Sequence, residues 1–284
     1  MSSPFDNRLE IAWCPGCGNF GILNALKRSL VSLGLEPKQV VMVSGIGQAA
    51  KLPHYLQAHV FNGLHGRSIP VAFAIKTVNP NLTVIAESGD GCMYGEGGNH
   101  LLHTIRRNPN ITVIVHDNQV YGLTKGQASP TSDFGFRSKI QPWGNLSLPF
   151  QPLSVAIAQG ASWVARAFSG DLEGLSKIMQ EAIAWEGFSL VDVLQPCVSF
   201  NRVNTYQWYQ ERVYYLEEDY DPTDRVSAFS RSLEWGDRIP LGIFYKEEKP
   251  TYQEKNPVFT QKKDLIYREI EKKDIWEEEK SHFI

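Results

Sequence analysis

The stretch from Glu87 to Gln127 restricts the folds open to this chain more than any other. Just before it, Thr83–Ala86 (TVIA) reads as a buried strand, a short apolar and β-branched run bounded by turn formers. The chain then turns through Gly89, Asp90 and Gly91 and enters a segment with helical spacing at Leu101, Leu102 and Ile105. A second apolar run, Ile111–Val115, is a second strand, and it ends in Asp117-Asn118. An Asp in a glycine turn after one strand and an Asn after the next therefore lie at like ends of two parallel strands. The predicted class is α/β with a doubly wound, mostly parallel sheet, and this edge is where such sheets bind ligands.

The residue types at that edge point to one chemistry. Two glycines let backbone N–H groups approach an anion, and the following helix aims its positive end at the same place. A carboxylate and a carboxamide oxygen suit Mg²⁺, a hard cation usually shared with phosphates. Gly-Asp-Gly by itself is an ordinary tight turn. Its spacing to Asn118, with strands before both, makes the pair a candidate site for a magnesium-bound diphosphate.

Gly89-Asp90-Gly91, then 26 residues, then Asn118 resembles the thiamine diphosphate motif. The continuation from Asn118 to Thr131 (NQVYGLTKGQASPT) resembles the β subunit of 2-oxoacid:ferredoxin oxidoreductases. That resemblance implies a thiamine diphosphate-binding fold of the diphosphate-domain type. It also implies Mg²⁺ ligation by Asp90, Asn118 and the backbone carbonyl of Val120, with Gly89 and Gly91 giving the diphosphate room. Gly45, Ile46 and Gly47, after an expected strand at Gln39–Val43, correspond to a loop beside the thiazolium. Gly122, Leu123 and Thr124 adjoin the metal loop.

Leu123 and Lys51 match substrate-side positions, Lys51 as a contact to the 2-oxoacid carboxylate. Read from its type alone, Lys51 is equally a solvated lysine. His65-Gly66-Arg67, in an expected loop from His59 to Ile69, resembles the family's His-Gly-Arg. A histidine at such a mouth serves as a proton relay, a hydrogen-bond donor to the reacting centre or a structural group.

Cys14-Pro15-Gly16-Cys17 opens the chain's chemistry, and CxxC serves zinc sites, redox dithiols and iron–sulfur clusters alike. No thioredoxin-like strand precedes it, which argues against a redox dithiol. In the resembling family, Trp-Cys-Pro-Gly-Cys-Gly ahead of a helix begins a [4Fe–4S] site, and Cys197 in Gln195-Pro196-Cys197 matches its last ligand. The third family cysteine would stand at position 48, which is Gln48 here. Cys92, directly after Gly91, is a cysteine where the family has Asp. Since four thiolates are the usual complement of such a cluster and the chain has four cysteines, the economical expectation is that Cys92 replaces the thiolate missing at 48. The plain alternative for Cys92 is a small residue at a helix start, its thiol unused.

Other elements follow from periodicity: helices at Asn19–Leu33, Ile69–Val78, Leu153–Gln159 and Leu172–Trp185, and strands at Ser162–Ala167 and Ser189–Leu194. Residues 1–200 form the expected cofactor- and cluster-binding domain. Residues 201–284 form a helical or irregular extension, with helical spacing around Tyr206–Leu216 and a role packed on a partner. At 284 residues, with 28 basic and 31 acidic side chains and no basic block, nothing suggests nucleic acid. No stretch of roughly 18 apolar residues or leader-like h-region suggests a membrane, so a cytoplasmic protein is expected.

The resemblance implies coenzyme A-dependent oxidative decarboxylation of a 2-oxoacid, or the reverse carboxylation, with electrons passing to ferredoxin. A thiamine enzyme also needs a carboxylate on a second domain to activate the aminopyrimidine. The tail is too short for one, so an α subunit would bring the pyrimidine domain and the coenzyme A site. Two rivals remain at this stage. One is a subunit of a non-redox thiamine diphosphate decarboxylase or ligase, which needs no CxxC. The other is a non-catalytic zinc-binding module, which leaves Asp90 and Asn118 idle.

Overall fold

A computed structural model describes residues 3–260, 264–268 and 280. Eight strands join one sheet: Val40–Ser44 (β1), His59–Asn62 (β2), Thr83–Gly89 (β3), Ile111–Asp117 (β4), Trp163–Phe168 (β5), Phe188–Leu194 (β6), Val213–Tyr215 (β7) and Ile239–Lys246 (β8). Their order is β2-β1-β3-β4-β6-β5-β8-β7. All neighbours are parallel except β5 and β8. The central strands are largely apolar because helices cover both faces, as parallel sheets require.

Alternate residues of the central strands feed the two layers. Val40 and Met42 of β1 join the core under Asn19–Ser32 (α1) and Leu172–Ala184 (α5). Val41 and Val43 turn to the other face. There they meet Ser68–Val78 (α2), Gly98–Arg107 (α3), Pro152–Gln159 (α4) and Arg225–Ser232 (α7). Burying each such side chain is worth roughly 1.5–3 kcal/mol, so one strand holds both layers.

Three expectations change. The segment from His59 to Ile69 is not all loop, since β2 pairs with β1 over His59–Asn62. Its four residues are all exposed, so no buried alternation marks it in the sequence. The helical spacing around Tyr206–Leu216 holds for Tyr206–Gln210 (α6), and Val213–Tyr215 is a strand. The extension is more than helical or irregular: it completes the sheet edge with β7 and β8. The charged runs at Lys272–Asp274 and Glu277–Glu279 lie outside the described residues.

Asn108 ties these layers together. It ends α3 in the left-handed region at φ 53°, a conformation Asn tolerates better than most residues. Its Oδ1 accepts from the Phe188 N–H at 2.9 Å and the Ser162 hydroxyl at 2.7 Å. Its Nδ2 donates to the carbonyls of Lys249 and Pro250 at 3.1 and 3.2 Å. Asn108→Ala strands buried partners and adds backbone strain, so chemical denaturation should show a loss of about 3–5 kcal/mol. Asn108→Gly, which removes the strain alone, should recover about 1 kcal/mol of it.

Candidate cofactor and cluster site

Parallel pairing of β3, β4 and β6 sets Gly89 beside His116 and Asp117 beside Leu194. The residues that follow these strands, Asp90, Asn118 and Gln195, emerge at one edge. After β3 the backbone enters a π-helical turn, Gly91–Glu96, before α3 starts. Such wide turns recur at functional sites. Gly91 is required by space: a Cβ there would collide with the Tyr121 ring. At Gly89 and Gly122 a Cβ would meet nothing closer than 3.8 Å, so both leave room at the edge.

Asp90 is 1% exposed, and its Oδ2 accepts from the Ser129 and Thr131 hydroxyls. Each carboxylate oxygen has two lone pairs, so Oδ1 retains capacity for a cation. Asn118 is oriented from both ends: Nδ2 donates to Gln195 Oε1 at 3.1 Å, and Oδ1 accepts from the Val120 N–H at 3.0 Å. An acidic oxygen, an amide oxygen and the turn carrying Val120 thus share one corner, a donor set suited to Mg²⁺.

Beneath that corner lies a dense buried network. Thr131 Oγ1 is 2.7 Å from both Asp90 Oδ2 and Asp117 Oδ1. One hydroxyl has one proton and cannot donate to both, so one of the two carboxyls carries a proton. Burial pushes Asp90 up to about 6 against the hydroxyls that lower it. It raises Asp117 well above the carboxylate range, helped by the charges of Asp192 and Asp90. Arg166 is the compensating cation, its Nε 4.0 Å from Asp192 Oδ2, between the rings of Trp235 and Phe244 at 5.4 Å each. Ser129 and Thr131 sit inside the NQVYGLTKGQASPT run, and the spacing of that run does not reveal that they brace the Asp90 carboxylate.

The thiols divide into two settings. Cys17 is half-buried, and burial pushes its thiol up to about 11, with Cys197 and Cys14 as the neighbouring thiols that add to the rise. Cys14 Sγ accepts from Ser199 Oγ at 3.1 Å, and Gln195 Nε2 stands 3.6 Å from Cys17 Sγ. A thiol so disfavoured as a free anion, with Cys14 and Cys197 beside it, fits a bound cationic centre that would lower its pKa. Among the described residues no three His, Cys, Asp or Glu groups converge on a single ion. Cluster thiolates each bind a different iron, so they need not converge in that way.

Cys92 is buried, its sulfur accepting the Gly66 N–H at 3.1 Å and occupying the space that a Cβ on Gly45 would fill. Gln48 faces the CxxC loop: its carbonyl accepts from Trp13 Nε1 at 2.8 Å, and its buried Oε1 has no hydrogen-bond partner.

The substrate-side candidates ring the same edge. Leu123 and Ile46 are exposed, Lys51 is half-buried, and Thr124 Oγ1 donates to Gln127 Oε1 at 2.6 Å. His65 Nδ1 lies 3.0 Å from Glu96 Oε2 without the alignment of a hydrogen bond. The Tyr121 hydroxyl reaches the same carboxylate at 3.4 Å. Glu96 carries no motif and was not legible from the sequence. Neither was Glu87, buried 3.3 Å from His116 Nε2, whose Nδ1 meets Asn19 Oδ1 at 2.9 Å behind the CxxC loop.

Comparison with known proteins agrees with this geometry. The family "Thiamine pyrophosphate enzyme, C-terminal TPP binding domain" matches residues 39–193. A second family, the C-terminal part of the pyruvate ferredoxin oxidoreductase beta subunit, matches residues 197–261. A 2-oxoacid:ferredoxin oxidoreductase subunit beta from Sulfolobus sp is 45% identical over 90% of this chain and 91% of the relative. A protein of the same description from Saccharolobus solfataricus is 46% identical over 86% of this chain and 84% of its own. In three dimensions the chain is similar to a 2-oxoglutarate:ferredoxin oxidoreductase from Magnetococcus marinus, solved with 2-oxoglutarate, coenzyme A and succinyl-CoA. The TM-score is 0.90, with 31% identity over 99% of this chain and 96% of the other.

The buried carboxyls have a measurable consequence. A group whose pKa is raised on folding holds its proton more tightly in the folded state, so stability falls as pH rises from the unfolded value to the folded one. For Asp90 that window runs from 3.8 to about 6. Thermal melts of the metal-free chain should show this loss across the window, and saturating Mg²⁺ with the diphosphate cofactor should flatten it by stabilising the anion.

Proposed function

Because the chain belongs to the β subunits of the 2-oxoacid:ferredoxin oxidoreductases, we propose that it forms the diphosphate half of a shared active site. The observation that carries the reading is the convergence of Asp90, Asn118, Gln195 and the CxxC loop at one sheet edge. Thiamine diphosphate supplies a nucleophilic carbon for the 2-oxo group and a sink for the electrons left by CO₂, and a [4Fe–4S] cluster accepts such electrons singly.

This chain's own residues bind and orient. Asp90, Asn118 and the Val120 carbonyl hold Mg²⁺, with Ser129 and Thr131 fixing the Asp90 rotamer. Gly89 and Gly91 admit the diphosphate, while Gly45, Ile46, Gly47, Gly122 and Thr124 line the cofactor. Lys51 offers an ammonium to the 2-oxoacid carboxylate, and Leu123 bounds the substrate's carbon chain. His65, beside Glu96, is the proton-carrying group at the mouth.

The exposed apolar side chains Phe134, Ile140, Trp143, Leu146 and Leu148 follow the cofactor loop, and Trp143 is 88% exposed. A run of that size suits a protein partner. It is the docking face for the α subunit, which brings the pyrimidine domain and the coenzyme A site. Ferredoxin takes the electrons, and the complex works in the cytoplasm. Among the described residues no helix is long and apolar enough to cross a membrane.

Cys14, Cys17 and Cys197 would be the cluster's thiolate ligands from the CxxC loop and the segment after β6. Cys92, whose sulfur accepts the Gly66 N–H, would supply the ligand that replaces the cysteine missing at 48. A specific observation favours a second ligand, Gln48, whose buried Oε1 has no partner and whose backbone abuts the CxxC loop. Iron per chain distinguishes them. With Cys92 as ligand, Cys92→Ser loses iron and the spectrum near 400 nm while Gln48→Leu keeps both. With Gln48 as ligand the pattern reverses.

The overall reading is tested by anaerobic co-purification with partner subunits and a coenzyme A-dependent assay over several 2-oxoacids. Turnover should require the partner, and Asp90→Ala should lower it at least about a hundredfold through lost cofactor binding. Full turnover by this chain alone, or by the Asp90 variant, would sink the proposal.

A further inference from the structure

Gln195 follows β6 and is 1% exposed, yet its side chain has no part in holding cofactor or substrate so far. Its Oε1 accepts from Asn118 Nδ2 at 3.1 Å. Its Nε2 donates to the Pro196 carbonyl at 2.7 Å and faces Cys17 Sγ at 3.6 Å. Its backbone N–H donates to the Asp117 carbonyl at 2.8 Å. One primary amide therefore touches a metal-side carboxamide with its oxygen and a thiol of the CxxC loop with its nitrogen. Gly18, next to Cys17, makes the approach possible: a Cβ there would stand 2.7 Å from Gln195 Cγ.

We propose that Gln195 is a positioning residue shared by the two centres, orienting the Asn118 carboxamide toward the cation and supplying an N–H···S hydrogen bond to Cys17. This role rests on the cofactor assignment and gives Gln195, there only a marker of the shared edge, a task at both centres. The two contacts need opposite ends of the amide. Accepting from Asn118 Nδ2 turns Asn118 Oδ1 to the metal side. Once its oxygen is so committed, the amide nitrogen must point at the sulfur and the Pro196 carbonyl. Hydrogen bonds to a cluster sulfur favour the reduced, more negative state and raise the potential. Groups that orient a metal ligand typically change affinity by about 10- to 100-fold.

The two ends can be separated experimentally in the complete complex. Gln195→Leu removes both contacts. Gln195→Glu, of nearly equal volume, keeps the acceptor for Asn118 and removes the donor to sulfur. Thiamine diphosphate binding at saturating Mg²⁺ is read by calorimetry, and the cluster midpoint potential by an electron paramagnetic resonance redox titration. Gln195→Leu should weaken the diphosphate at least about tenfold and lower the potential. Gln195→Glu should lower the potential while binding stays within about threefold of wild type.

A residue that merely packs would move neither reading in an assembled Gln195→Leu complex. If Gln195→Leu does not assemble, Gln195→Met, neutral and of similar volume, replaces it in both readings, because the charge of Gln195→Glu by itself lowers the potential. An unchanged potential in Gln195→Glu, or unchanged binding in an assembled Gln195→Leu complex, would overturn the proposal. A wild-type complex without iron would overturn the cluster assignment itself, an outcome distinct from a wild type with both centres and an indifferent Gln195.

Discussion

Parallel pairing of β3, β4 and β6 is the constraint on which the rest depends. Parallel strands all present their carboxyl ends to the same edge, so any residue just beyond one strand is delivered next to those beyond its neighbours. Asp90, Asn118 and Gln195 lie far apart in sequence and meet for that reason alone. The CxxC loop reaches the same edge from outside the sheet, where α1 begins and Gly18 N–H meets the Pro196 carbonyl at 3.3 Å. Shifting one strand by a residue would reverse its faces and break both the core and the edge.

That edge carries a cost. Asp90, Asp117 and Asp192 are all buried, with Arg166 as their buried cation. Leaving charges this close without water is unfavourable, which is why burial raises all three carboxyls and why a proton resides among them. The hydroxyls of Ser129 and Thr131 and the phenol of Tyr94 offset part of the cost by hydrogen bonding. A divalent cation would offset more. Stability is thus given up at this edge, as is common where polar groups are preorganised.

Much of this was legible from residues alone. Apolar runs rich in β-branched residues marked β1, β3, β4, β5 and β6, because strands buried on both faces are filled mainly by apolar side chains. The strands that escaped notice are those without that signature. β2 is exposed along its length, and β7 lies within a segment whose aromatic and polar spacing imitates a helix. In the site, Asp90 and Asn118 could be found by their turn chemistry and spacing. Gln195, Glu96 and the Glu87–His116 pair could not, since each acts through a partner distant in the chain.

The amino-acid sequence by itself determined the α/β class, a candidate ligand edge and the supply of cysteines, because these rest on local periodicity, turn residues and residue chemistry. Tertiary structure decided which side chains share that edge. It set Cys92 beneath Gly45 and Gly66, set Gln48 against Trp13, and joined Cys17 to Asn118 through a single amide. Such contacts depend on strand register and on where glycines leave space, quantities that emerge only when distant segments pack.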